Sequence, residues 1–112
     1  MSVTAKSLFA PNQAPSGNTT QYTAAGVRCI IDKFTGTNTT AGAATLTVFL
    51  VPSAGAAGAT NTIVSARSLA AGECYTFPEI VGHVLNVGDF LVTASGTAAA
   101  ITVRGSGREV TG

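Results

Sequence analysis

The stretch from Leu69 to Ser95 carries one pattern twice, and that repetition limits what the chain can be. Leu69-x-x-Gly72-Glu73 is followed by Leu85-x-x-Gly88-Asp89. In each copy a leucine closes an apolar segment, a glycine and an acid turn the chain, and an alternating apolar segment follows. Glycine reaches φ > 0 without steric cost, and an acid beside it can hydrogen-bond the turn amides. Turns of this kind punctuate strands, so the chain is expected to be all-β. Nothing in the pattern is catalytic, which points to a scaffold or interaction protein.

The rest of the chain repeats the same grammar. Thr19 to Ala24 is a short strand candidate, and Val27 to Phe34 alternates with Val27, Cys29 and Ile31 on one face, the period-two signature of a half-buried strand. Thr45 to Val51 is the strongest strand. Leu46, Val48 and Leu50 share a face, Phe49 and Val51 suggest cover on the other, and Pro52 ends the ladder. Further strands are expected at Thr62 to Leu69, Cys74 to Phe77, His83 to Leu85, Phe90 to Ala94 and Ala98 to Arg104. Gly105-Ser-Gly107 then breaks the chain before a short piece at Arg108 to Val110. Two loops stand out, the Thr/Asn/Gly segment Gly36 to Gly42 and the small-residue segment Ser53 to Asn61, read as flexible. The pattern predicts a single-domain β-sandwich, jelly-roll-like, of about eight antiparallel strands. Residues 18–112 would form it, and residues 1–17 an extended N-terminal arm, because Pro11 and Pro15 bracket Asn-Gln-Ala and bar a regular element.

Composition narrows the function. At 112 residues there is one core, and only 10% of residues are charged, against roughly 25% in an ordinary soluble domain. A low-charge exterior suits a surface buried against other subunits, since charge is depleted at interface cores. The net charge of +1 and the dispersed basic residues give no case for nucleic acid or an acidic membrane. The N-terminus lacks the order of a signal peptide, and no apolar run approaches the length of a membrane helix. The two cysteines, Cys29 and Cys74, sit in apolar alternation; a disulfide between them is possible but unforced, and the first reading is free and buried.

Candidate chemistry is sparse. One histidine, His83, cannot build the two-histidine-plus-carboxylate set of a metal-binding jelly roll. Glu73 and Asp89 read as turn builders and Glu79 as the cap of a corner. Pairing Cys29 or Cys74 with His83 has no support in the strand pattern. Asn18-Thr-Thr20 and Asn38-Thr-Thr40 match glycosylation sequons by chance in a Thr-rich chain. The expectation is no enzyme, no cofactor and no metal. Function would then lie on the arm and loops, at Leu8, Phe9, Thr37, Asn38, Thr39, Ala56 and Ala57. Leu8 and Phe9 could tuck back onto the domain or anchor a neighbour.

Taken together, Gly26-Val27-Arg28-Cys29-Ile30, Leu46 to Ser53, Leu69-Ala-Ala-Gly72-Glu73, Pro78-Glu79, Gly82-His83-Val84-Leu85, Gly88-Asp89 and Arg104-Gly-Ser-Gly107 resemble small virion structural proteins of tailed bacteriophages. The resemblance covers roughly Tyr22 to Val110. In size and strand pattern the chain is similar to capsid decoration, or cementing, proteins. That resemblance implies a place on the outer capsid surface of a virion assembled in the bacterial host cytoplasm. It also implies two partners, the major capsid protein and copies of the chain itself as a dimer or trimer. A neck, tail or fibre-base component is the alternative within the virion, and a small ligand- or glycan-binding β module the alternative of another class.

Overall fold

The computed structural model describes Ser2 to Thr111. Ten strands run through these residues: β1 (Ser2–Ser7), β2 (Asn12–Gln13), β3 (Thr19–Thr23), β4 (Arg28–Asn38), β5 (Ala44–Val51), β6 (Thr62–Leu69), β7 (Cys74–Tyr75), β8 (Val84–Leu85), β9 (Phe90–Ser95) and β10 (Ile101–Thr111). They form two antiparallel sheets. Sheet A has the order β1-β10-β4-β7, with β2 also on β10 and β8 also on β4; sheet B has the order β3-β9-β5-β6. The chain crosses between the sheets several times: β3 lies in sheet B before β4 in sheet A, β5 and β6 follow in sheet B, β7 and β8 return to sheet A, and β9 in sheet B precedes β10 in sheet A. Because β4 pairs with β10 and β5 with β9, one long double ribbon is rolled over the core. The chain is an all-β, jelly-roll-like sandwich.

The duplicated turns are built alike. Gly72 and Gly88 take φ of +74° and +89°, the left-handed backbone that glycine adopts without strain. Glu73 N–H donates to Ala70 O and Asp89 N–H to Asn86 O, each at 2.9 Å. The carboxylates close the loops: Glu73 accepts from Ala70 N–H at 2.7 Å and Asp89 from Asn86 N–H at 3.0 Å. Asp89 also accepts from Ser53 N–H at 3.0 Å, tying a second corner to the turn. Leu69 and Leu85, which precede the turns, are both in the core.

Alternation in β4 sends Cys29 and Ile31 inward. A bulge then places Asp32 and Lys33 opposite the Ser106–Gly107 step, so Phe34, Gly36 and Asn38 carry the inward face onward. In β5, Leu46 and Val48 are fully buried, but Leu50 near the strand end is half-buried. Val51, on the opposite face, is fully buried against the connection at Gly55.

Four sequence expectations need correction. The arm is not free of regular structure: β1 pairs with β10 at every one of its positions, and β2 pairs with Thr102 and Val103. Pro11 and Pro15 fall outside those ladders. Leu8 and Ala14 are buried, and Asn12 exchanges hydrogen bonds of 2.8 and 3.1 Å with Gln21, which also reaches Thr93 at 3.0 Å. Secondly, Gly36 to Asn38 continue β4 instead of opening a loop. Thirdly, Gly105-Ser106-Gly107 does not break the last strand, and β10 runs through it. Fourthly, the Ser53 to Asn61 connection is pinned rather than loose, with Gly58 N–H on Asn61 Oδ1 at 3.0 Å and Asn61 Nδ2 on Ala56 O at 2.9 Å.

The glycines within β4 and β10 explain two of these corrections, because they are seats for rings and backbone. A Cβ on Gly36 would lie 2.8 Å from the Phe77 ring, and one on Gly105 would lie 2.7 Å from the Phe9 ring. Phe34 sits between, its centroid 6.1 Å from Phe9 and 5.4 Å from Phe77. Tyr75 extends the row edge-to-face at 4.8 Å from Phe77, a preferred aromatic geometry. Gly107 instead meets the carbonyl of Ile30, where backbone approaches backbone at the bulge.

Gly107→Ala should therefore destabilise more than Gly105→Ala. The half-buried Phe9 ring can move aside, whereas the Ile30 carbonyl cannot. Losses of about 3 kcal/mol or more against about 1 kcal/mol are expected by denaturant unfolding. A second test uses Tyr22, whose hydroxyl donates to Glu109 and joins sheet B to sheet A. Burial, and then the bond to Glu109, push this phenol well above its ordinary 10.0. The folded state thus holds the proton more tightly than the unfolded chain. The resulting stability is present below pH 10 and lost as pH climbs beyond it. Absorbance titration should show Tyr22 ionising only together with alkaline unfolding.

Candidate functional site

Residues directly opposite each other in antiparallel strands share a face, so the register of sheet A defines its outer surface. On β10, Ile101, Val103, Gly105 and Gly107 point inward, leaving Thr102, Arg104, Ser106, Arg108 and Val110 outside. Their partners across the sheet follow. Val110 lies between Val3 and Arg28, and Arg108 between Ala5 and Ile30, with Val84 next beyond Ile30. Further along, Ser106 faces Lys33, Arg104 faces Thr35, and Thr102 faces Thr37, which pairs in turn with Cys74.

This face gathers four of the six basic residues, Arg28, Lys33, Arg104 and Arg108, all exposed. The expectation that the basic residues are dispersed is thereby corrected. Their scatter along the chain hides that β4 and β10 lie side by side with these positions outward. One carboxylate answers them: Asp32 accepts from Arg108 Nε at 3.0 Å and from its Nη2 at 3.0 Å. That pairing lifts the Arg108 guanidinium above its usual value. The remaining basic residues are engaged elsewhere, Lys6 with Glu109 at 3.5 Å and Arg67 stacked 3.8 Å from the Tyr75 ring. Among the described residues, Arg28, Lys33 and Arg104 have no carboxylate partner. All three point the same way.

Exposed apolar groups lie at the Arg28 end of the sheet. The large hydrophobic residues left most open are Val3, Val81, Val84 and Val87, 43–56% exposed. Val3 and Val84 belong to the face itself, in rows with Val110 and Ile30. Val81 and Val87 sit in the turns on either side of β8. No aromatic ring lies among the outward positions named, so the face offers no stacking platform for nucleic-acid bases.

Of the residues nominated from the sequence, Thr37 alone falls on this face. Leu8 is buried and Phe9 half-buried in this chain's own core, the tucked-back arrangement. Asn38 is fully buried, its amide donating to Gly42 O at 2.7 Å and Leu69 O at 3.0 Å while its carbonyl accepts from Thr40 N–H at 2.9 Å. It fastens the end of β4 to the first Gly-acid turn. Thr37 is half-buried and sits on the outer face of sheet A. Thr39 and Ala56 are exposed and Ala57 half-buried, on separate loops. The structure does not bring these residues together. The basic face went unseen because its members are distant in sequence and meet only through strand register.

The remaining polar groups serve structure. Tyr75 hydroxyl donates to Glu79 at 2.8 Å, which lowers the Glu79 carboxyl and raises the Tyr75 phenol. No three of His, Cys, Asp and Glu come together as a metal site among the described residues. No helix among them is long and apolar enough to cross a membrane.

No family model matches the chain, and no curated protein matches it. Among solved structures, it is similar to a chain in the structure of infectious bursal disease virus Gx strain, with a TM-score of 0.50 at 16% identity. The match covers 99% of this chain and 32% of the other, so this chain spans about a third of that length. At this identity the likeness speaks to the fold alone.

Both cysteines are free, but Cys74 is exposed where the sequence suggests burial, because it occupies an outward position on the two-residue strand β7. Cys29 is buried, and desolvation pushes its thiol up. A disulfide-exchange reagent should titrate one thiol in the native protein, abolished by Cys74→Ser, and a second only after unfolding. Two fast thiols would show that the Cys29 environment is open.

Proposed function

We propose that this chain is a non-enzymatic structural protein of a virion, a decoration or cementing protein on the outer shell. In this reading it bridges neighbouring major capsid proteins and docks them with the outer face of sheet A. The observation that carries the reading is the gathering of Arg28, Lys33 and Arg104 on one sheet face, without carboxylate partners among the described residues, with exposed valines at the Arg28 end of that face. A face of this composition fits a protein surface of carboxylates and apolar side chains. Phosphate-rich partners would use the cations but leave the valines in water. Support also comes from the resemblance to phage virion proteins and from a sandwich fold shared with a chain of a virus structure. Each contact need only be modest, since many copies on one shell act together.

The test is occupancy on particles. Purified virions should carry the chain in hundreds of copies by quantitative mass spectrometry, and shells lacking it should take it up when it is added back. Arg28→Glu with Arg104→Glu should cut that uptake at least about tenfold at low salt, with the wild-type signal falling as salt rises. Thr39→Glu and Ala56→Glu, on the loops, serve as the comparison and should leave uptake unchanged. Absence from purified particles, or a handful of copies, would contradict the decoration role. Equal uptake by the double charge reversal would move the contact to another surface.

A further inference from the structure

Strand β1 forms one edge of sheet A, and it is the one long edge that no register break or bulge interrupts. It pairs with β10 without a register break at any position from Ser2 to Ser7, and all its residues are exposed. The other edges are managed. The opposite side of sheet A is occupied by β7 and β8, of two residues each. In sheet B, β3 is interrupted at Gln21, and β6 has two register breaks and a left-handed Ala66 at φ +45°. Breaks, bulges and short strands are the usual means by which sheet edges are kept from pairing. On β1 none of them is present, and its one charge, Lys6, turns to the inner face and is neutralised by Glu109.

The direction of its free groups can be read from the register. Leu8 N–H donates to Gly105 O at 2.9 Å, one step beyond the Ser7–Ser106 pair. In antiparallel pairing both backbone groups of a residue point to the same side, alternating along the strand. Ser2, Thr4 and Lys6 therefore turn theirs toward β10, while Val3, Ala5 and Ser7 direct N–H and C=O to the open edge.

We propose that the occupant of this edge is β1 of a second copy, joined antiparallel about a two-fold axis perpendicular to the sheet. In the register centred on Ala5, Ala5 faces Ala5 of the second copy and Val3 faces Ser7. Every free edge group is then paired, giving six backbone hydrogen bonds. Lys6 falls opposite Thr4, so the two ammonium groups stay apart. Centring on Lys6 would oppose them, and centring on Thr4 would pair only Val3 with Ala5 among the described residues, about four bonds in place of six. Because the other edges are blunted, the assembly closes as a dimer instead of growing into a fibre. The outer faces of the two copies become one continuous sheet, which doubles the basic surface. The pairing is independent of the proposed function. A dimer that ignores shells contradicts only the latter, and a shell-binding monomer contradicts only this proposal.

Sedimentation equilibrium on the full chain should give twice 11.1 kDa. Ala5→Pro removes an outward N–H without touching the bonds to β10, and Ala5→Lys sets two lysines face to face. Either should give a folded monomer by circular dichroism, with association weakened at least about a hundredfold. Ala5→Cys in a Cys74→Ser background should oxidise to a covalent dimer, since directly opposed residues of this class lie about 5.5 Å apart between Cα atoms. A wild-type monomer, a trimer, or a dimer that persists in Ala5→Lys overturns the proposal.

Discussion

The fold depends on aromatic rings seated over glycines of its two longest strands. Phe34 comes from β4, Phe77 occupies the place that a side chain on Gly36 would need, and Phe9 does the same at Gly105. These contacts fix three things together. They hold the N-terminal segment against β10, they align β4 with β10, and they anchor the irregular stretch between β7 and β8. Phe77 shows how strongly the seat is preferred. It keeps a left-handed backbone at φ +46°, a conformation that costs on the order of 1–3 kcal/mol for a bulky residue. Full burial of its ring between Phe34 and Tyr75 offsets that strain.

That packing also decides what the outside looks like. Once Phe34, Gly36, Gly105 and Val103 face inward, the residues between them must face outward, and those include Lys33, Thr35, Arg104 and Ser106. The bulge at Asp32 matters here. Without the extra residue, the inward set that begins at Cys29 and Ile31 could not pass to Phe34, and Lys33 would point into the core. A buried lysine without a partner is among the costliest changes a small domain can suffer. Core packing and the basic face are thus two consequences of one register.

Much of this was legible in the residues. The twin Gly-acid turns work as their chemistry implies, and the alternation through Cys29, Ile31, Leu46 and Val48 names core positions correctly. The failures share a cause. Gly105 and Gly107 look like punctuation because glycine's freedom at turns is the commoner reason for its presence, whereas here it is needed for want of space. Pro11 and Pro15 look like breakers, yet they flank short ladders without entering them. Leu8, Phe9 and Asn38 look available because their partners, Gly105, Phe34 and Leu69, are distant in sequence. The outer face of sheet A is invisible for the same reason: only strand register assembles it.

The claim on which the account turns is that β10 is one uninterrupted central strand through its glycines. Amide hydrogen exchange followed by NMR reads this directly at Ser106, Gly107 and Arg108, which lie between β1 and β4. If the strand is continuous, these amides exchange as slowly as Val103, through global unfolding alone. Fast exchange at Ser106 and Gly107, with Val103 still protected, would mean two separate strands joined by a loop, and neither the ring seats nor the basic face would then stand as described.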